Sequence, residues 1–229
     1  MTEKTFTTAE KLLILAHHPE KGRFLTSLTY LQYGIAGALL LDLALWERIT
    51  ITGNRLILRP GKGLSSPVYD DVITLISQSP DSRKVGHWVR KLANRYGQYK
   101  WHILDGLVGK KNFRIEKKKF LGLIPYRQSF FIETLTRASL IRQLKNEILS
   151  GRGITGEMNA LAGLVKACSM ESVLSADRDE LKRIRQQLKV MAVESPVSGI
   201  VSETILQVQA AIIVSVTAAA VASSSAGRR

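Results

Sequence analysis

With 229 residues, 45% of them hydrophobic and 23% charged, the chain can bury one substantial core; this excludes fibrous and disordered architectures and calls for no second domain. Thirty-three Lys and Arg against 19 Asp and Glu give a net charge of +14 and a pI near 10.1. Such a surface attracts polyanions, either nucleic acid or an anionic membrane, unless the charge serves solubility alone.

Thr7-Thr-Ala-Glu10 is a capping box opening the apolar run Leu12 to Ala16, which predicts a short first helix. Leu31 to Trp46 is apolar almost all round, with Gly34 and Gly37 one turn apart and Asp42 as its only charge, and so predicts a helix packed inside the core. Ile49-Thr-Ile51 and Leu56-Ile-Leu58 flank Thr52-Gly-Asn-Arg55 and predict a β-hairpin. Pro60 to Pro67 is a loop, and Val68 to Ser77 and Lys84 to Trp101 are two further helices, followed by one around His102 to Val108.

Next come Phe113-Arg-Ile115, a charged turn Glu116-Lys-Lys-Lys119, and Phe120 to Ile124 before Pro125, giving a helix followed by a cationic wing. The remainder is helical. Leu140, Ile141, Leu144 and Ile148 form a stripe stopped by Gly151, while Met158, Leu161, Leu164 and Val165 form another. Asp177 caps a third stripe of Leu181, Ile184, Leu188 and Met191.

Ala210 to Ala222 is uncharged, but at about 13 residues it is short of the roughly 20 that span a bilayer, and it reads as a buried core helix. Residues 1–221 therefore form one mainly α domain, helices around central hydrophobic helices with small β-hairpins including an exposed basic one. Residues 222–229 read as a solvated tail.

Catalytic constellations are lacking. Cys168, the single cysteine, excludes a disulfide framework and a multi-thiolate zinc site, and its apolar neighbours suggest a buried thiol. His17 and His18 are adjacent and diverge on a helix, so neither a metal site nor another cofactor is expected. Asp70 and Asp71 diverge likewise and suit the first turn of a helix. Gly151-Arg-Gly-Ile-Thr-Gly156 matches G-x-G-x-x-G but follows a helix where the dinucleotide motif needs a strand; it reads as a helix stop followed by a Thr155 cap. No secretory signal opens the chain, so a reducing cytoplasmic compartment is expected.

The positive charge is concentrated. Between Asp81 and Arg127 lie thirteen Lys and Arg residues against three carboxylates, with Tyr96, Tyr99, Trp101 and Tyr126 interleaved. Trp88 and Trp101 taken singly read as core residues beneath this basic face.

The order of segments resembles the Golgi phosphoprotein 3 family over nearly the whole chain. Thr8 to Ala16 is similar to the family's opening helix, and Tyr33-Gly-Ile-Ala-Gly-Ala-Leu-Leu-Leu-Asp-Leu-Ala-Leu45 to its G-L-x-G-G-x-L-I-E-L-A-L helix. Ser66 to Val72 resembles its proline-plus-acid loop, Leu107 to Leu123 its hairpin segment, and the terminal apolar helix its central buried one.

The resemblance implies a mostly helical, non-catalytic peripheral membrane protein with a trafficking or adaptor role. It implies binding of phosphatidylinositol 4-phosphate and a hairpin that touches the bilayer or a neighbouring subunit. Of the family's headgroup residues, a tryptophan and an arginine are replaced by Ser27 and Ala36, and two arginines by Gly97 and Lys100, so only Lys100 keeps a cation. Arg95, close in sequence to Lys100, and Arg23, before the second helix, are the residues that could compensate.

The expected phosphate contacts are thus Lys100, Arg95 and Arg23. Lys117, Lys118 and Lys119 form a polybasic anchor, and Phe120, Leu121 and Leu123 are shallow apolar insertions. The family's basic N-terminal tail is missing, so no coat-protein binding is expected, and a bacterial member would fit that absence. Location follows: peripheral to a membrane, on the cytosolic face of the Golgi in a eukaryote or in the bacterial cytoplasm. Two rivals remain, a winged-helix-like nucleic-acid-binding module and an adaptor that self-associates through the hairpin without lipid.

Overall fold

The computed structural model describes residues 5–61, 63–64, 66–121, 123–150, 156–193 and 200–226, the side chains of 120, 192–193, 200–206 and 223–226 excepted. The chain is mainly α, with two separate two-stranded antiparallel sheets.

The first helix, α1 (Thr8–Ala16), starts at the expected capping box: Thr7 Oγ1 accepts from Glu10 N and Glu10 Oε2 accepts from Thr7 N. The two remaining first-turn amides, Thr8 N and Ala9 N, donate to the carboxylate of Asp42 on α2 (Leu28–Leu45) at 2.7 and 3.0 Å. One buried acid thereby caps a helix distant in sequence, because the N-terminal amides and the helix dipole both favour negative charge.

Helix α2 is the centre of the fold. Everything from Gly34 to Ala44 is buried, and α1, the α4, α5, α7 and α9 helices introduced below, and β1 (Ile49–Thr52) pack around it. Its glycines allow that closeness. A Cβ at Gly34 would lie 2.6 Å from Cys168 Sγ, and one at Gly37 would lie 2.4 Å from Ile212 Cδ1. Among the described residues α2 is the one helix long and apolar enough to cross a membrane, but 67% of it is buried inside the protein.

Strand β1 pairs with β2 (Arg55–Leu58) through a turn in which Gly53 and Asn54 both have positive φ, 55° and 61°, the left-handed pair that a Gly-Asn sequence supplies. Helix α3 (Pro67–Ser77) starts with proline at its first position, and Asp70 Oδ1 accepts from Leu64 N.

Two expectations need correction here. The stretch read as one helix from Lys84 to Trp101 is broken at Asn94–Arg95 into α4 (Val85–Ala93) and α5 (Tyr96–Gly109). The apolar side of α4 (Val85, Trp88, Val89, Leu92) serves α2 and α9, whereas Tyr96, Tyr99, Ile103, Leu104 and Leu107 serve α1, α2, α3 and the hairpin; a straight helix cannot face both. The second correction is that Glu116–Lys119 is not a turn. These residues lie inside β3 (Phe113–Phe120), which pairs with β4 (Ile124–Phe131) around a three-residue loop at 121–123.

Helices α6 (Leu135–Ser150), α7 (Gly156–Ala167) and α8 (Arg178–Val193) present the expected stripes, with a 3-10 turn at Glu171–Val173 between α7 and α8. Asp177 caps α8 by accepting from Glu180 N at 2.7 Å. The Gly151 stop and the Thr155 cap lie outside the described residues. Cys168 is buried, and burial pushes its thiol up to about 12.

The terminal helix α9 (Ile200–Ala226) differs from expectation in two ways. It runs through Ala226, so the start of the stretch read as a tail continues the helix. It is also not the central buried helix: Val208, Ile212 and Val216 pack inward, while Ile213, Val214 and Val221 are exposed. An absence of charge along the sequence suggests a core helix, but here the outward face is merely uncharged.

Candidate functional site

Strand alternation decides where the hairpin's side chains go. Phe113, Ile115, Lys117 and Lys119 share one face with Phe131, Ser129, Arg127 and Pro125, while Arg114, Glu116 and Lys118 share the other with Phe130, Gln128 and Tyr126. The first face is anchored at its base by Phe113 and Phe131, whose rings meet the imidazole of His17 edge-to-face at centroid distances of 5.0 and 5.2 Å. The three expected anchor lysines therefore divide. Lys117 and Lys119 are exposed on the first face, whereas Lys118 pairs with Glu116 at 3.2 Å and lies over Phe130 at 4.7 Å on the second, with Arg114 also on Glu116.

At the loop, Leu121 and Leu123 are 81% and 82% exposed and Ile124 is 62% exposed, the largest apolar exposures near the cations. Phe120 pairs with Ile124 through its backbone, and its side chain lies outside the described residues. Leu121 has φ 50°, a left-handed conformation that costs a residue with a Cβ about 1–2 kcal/mol.

Lys100 sits on α5 where the helix meets β4. Its ammonium lies 4.3 Å from the Trp101 ring centroid and 5.3 Å from that of Tyr96, and the Arg127 guanidinium lies 4.4 Å from the same Trp101 ring. Arg127 also pairs with Asp105 at 2.6 Å. Burial first, and then the neighbouring Arg127, lower the Lys100 pKa. Arg127 is in addition the cross-strand partner of Lys117, and like charges directly opposite destabilise a strand pair. Lys100 and Arg127 thus share the Trp101 ring, with Lys117 opposite Arg127 in the strand pair and Asp105 as a compensating acid on Arg127.

The other two expected phosphate contacts stand elsewhere. Arg95 donates to both carboxylate oxygens of Asp71 on α3 at 3.1 Å, and Tyr99 donates to the same group at 2.7 Å, so an anion there would compete with Asp71. Arg23 is exposed on the loop between α1 and α2. That loop is tied to the hairpin where Gln128 Nε2 donates to Gly22 O at 3.0 Å. Ser27 is the N-cap of α2, Ala36 is buried, and Gly97 faces open space. Trp88 is core, while Trp101 is only partly buried beneath its two cations.

Arg127 was legible only as one more basic residue. Its partnership with Lys117 follows from a loop at 121–123, which the cluster of charged residues at 116–119 disguised.

His17 holds the hairpin base to α1. Its Nδ1 lies 2.8 Å from His18 O, and its Nε2 lies 2.9 Å from Ser129 O and 3.0 Å from Ser129 Oγ, inside a cage of Phe24, Phe113 and Phe131. Burial lowers its pKa from 6.5, outweighing the backbone bonds that raise it; His18 and Arg137 add to the lowering. A base held neutral this way contributes stability that is complete above pH 6.5 and is lost as pH falls through that value towards the folded one. Unfolding free energy should therefore drop between pH 7 and 5 more steeply in the wild type than in His17→Gln; parallel profiles would show that His17 does not carry the effect.

These features define a class: a mainly helical protein with exposed leucines at the end of a hairpin and a pair of cations over Trp101, with no group of three potential metal ligands among the described residues. The chain belongs to the Golgi phosphoprotein 3 family, whose model matches residues 9–208. Membership ties it to Golgi-associated trafficking, peripheral to the membrane, and not to a known enzyme family. No curated protein matches the chain.

Proposed function

We propose that the protein is a peripheral membrane protein that binds anionic phospholipid headgroups, of the phosphatidylinositol 4-phosphate type, at the junction of α5 and the β3–β4 hairpin. The observation that carries this reading is the placement of Lys100 and Arg127 over the one Trp101 ring, with Lys117 across the strand pair from Arg127. Each cation raises the electrostatic energy of the others, and a phosphate placed among them relieves that repulsion while accepting charge-assisted hydrogen bonds.

Lys119 extends the positive edge towards the loop, where Leu121, Leu123 and Ile124 enter the headgroup region. The basic residues near a bilayer add about 1 kcal/mol each, and the leucines add burial of apolar area. An apolar loop beside the cations favours a lipid surface over nucleic acid, whose phosphates and grooves give three aliphatic side chains nothing to bury against. Arg23 and Arg95 are secondary contacts, the latter only if Asp71 releases it.

Flotation with phosphatidylcholine vesicles containing phosphatidylinositol 4-phosphate, phosphatidylserine or neither tests this. Lys100→Glu combined with Arg127→Glu should weaken binding to the acidic vesicles by about thirty-fold or more, the loss of two cations at about 1 kcal/mol each, without loss of the folded state by circular dichroism. Equal binding to neutral vesicles, or unchanged binding by the variant, contradicts the assignment. Tight, salt-sensitive binding to duplex DNA without lipid binding would favour the nucleic-acid reading instead.

A further inference from the structure

Away from the hairpin, the β1–β2 turn, the start of α4 and the middle of α9 enclose a cleft of about 470 Å³. Asn54, Lys84, His87 and Arg90 line one side, and Gln207 followed by Ala210, Ala211 and Val214 the other. The β1–β2 turn is pinned in place there, since Val85 N donates to Asn54 O at 3.0 Å and Leu56 N donates to Arg83 O at 2.9 Å. Gly86 leaves the first turn of α4 bare, and a Cβ there would meet Arg90 Nη1 at 3.5 Å, so the guanidinium reaches back over that turn.

Among the described residues that line the cleft none is a carboxylate. Of the flanking charges, Arg83 has Asp81 at 3.7 Å, and Lys91 lies over the Trp88 ring at 5.0 Å. Desolvation and then the nearby charges of Lys91, Arg83 and Arg90 lower the His87 pKa.

The opposite wall continues as a track. Ala210, Val214, Thr217 and Val221 recur at helical spacing on α9, all exposed, over roughly 16 Å at 1.5 Å per residue. Thr217 donates its hydroxyl to Ile213 O at 2.9 Å, which turns its polar group back onto the helix. A cationic recess that opens onto an uncharged apolar ridge is complementary to a molecule with an anionic head and a hydrocarbon body. A free nucleotide or inorganic phosphate would leave the ridge bare, and an aliphatic peptide would leave the cations without a partner.

We propose that this cleft is a second lipid site, which takes a single anionic phospholipid with its phosphate against Lys84, His87 and Arg90 and an acyl chain along Val214. It is independent of the headgroup contacts around Lys100.

The test uses the full chain and dihexanoyl phosphatidic acid below its micelle-forming concentration, followed by nuclear magnetic resonance of the His87 imidazole and the Val214 methyls. Both should shift saturably, the His87 pKa should rise, and dihexanoyl phosphatidylcholine should produce neither effect. Lys84→Gln with Arg90→Gln should weaken the interaction at least tenfold, and so should Val214→Asp, with thermal midpoints recorded to confirm that both variants fold. Lys100→Glu should bind the soluble lipid as the wild type does, so failure of vesicle flotation and failure of this site are read separately. The proposal is overturned if inorganic phosphate alone reproduces the His87 response while Val214 stays still under the lipid. It also fails if the zwitterionic lipid binds equally, or if the Lys84 and Arg90 variant binds unchanged.

Discussion

Replacing Asp42 with alanine should destabilise the protein by on the order of 3 kcal/mol, more than any surface substitution, as measured by urea unfolding. The carboxylate is 2% exposed and accepts from Thr8 N, Ala9 N and the Tyr69 hydroxyl, the last at 2.6 Å. Removal strands three buried donors, each costing about 1–3 kcal/mol when left without a partner, and uncaps α1. Burial raises the Asp42 pKa, opposed by those same hydrogen bonds. Tyr69→Phe removes one bond while leaving the carboxylate on α1, and should cost only about 1 kcal/mol. A loss below that value for Asp42→Ala would mean that α1 is held by its capping box and apolar face alone.

Leu121→Asp with Leu123→Asp should abolish stable attachment to acidic vesicles, a reduction of a hundredfold or more, while leaving the thermal midpoint within a degree or two. Each leucine is almost wholly exposed, so the fold loses little. Burying a leucine contributes about 1.5–3 kcal/mol, and an aspartate in its place adds repulsion from anionic lipid. Sedimentation of the same variant separates the rival role. If the wild type self-associates and the variant is monomeric with vesicle binding intact, the loop serves contact between subunits and not the bilayer.

These two sites were unequally visible in the chain. Asp42 was conspicuous as the one charge in an apolar helix, yet nothing in its neighbourhood could announce that its partners would be the amides of residues 8 and 9 and a tyrosine at 69. The leucines were singled out by resemblance, but their turn was misplaced because Lys117–Lys119 have the composition of a loop. Pairing of Phe113 with Phe131 fixed the register and carried the lysines into a strand. That register split Lys118 from Lys117 and Lys119, and it brought Arg127 to Lys100.

Composition and periodicity by themselves determined a mainly helical core, the capped start of α1, the Gly53–Asn54 hairpin and the basic stretch between Asp81 and Arg127, because capping, turn geometry and burial period are local properties that neighbouring residues set. Only the tertiary structure decided that α4 and α5 part at Arg95, that Arg95 is drawn to Asp71, and that α9 shows a bare apolar face beside Lys84, His87 and Arg90. Those outcomes depend on which elements meet across long sequence separations. The free energy of such contacts belongs to pairs of surfaces, and a pattern along one segment cannot encode the surface it will face.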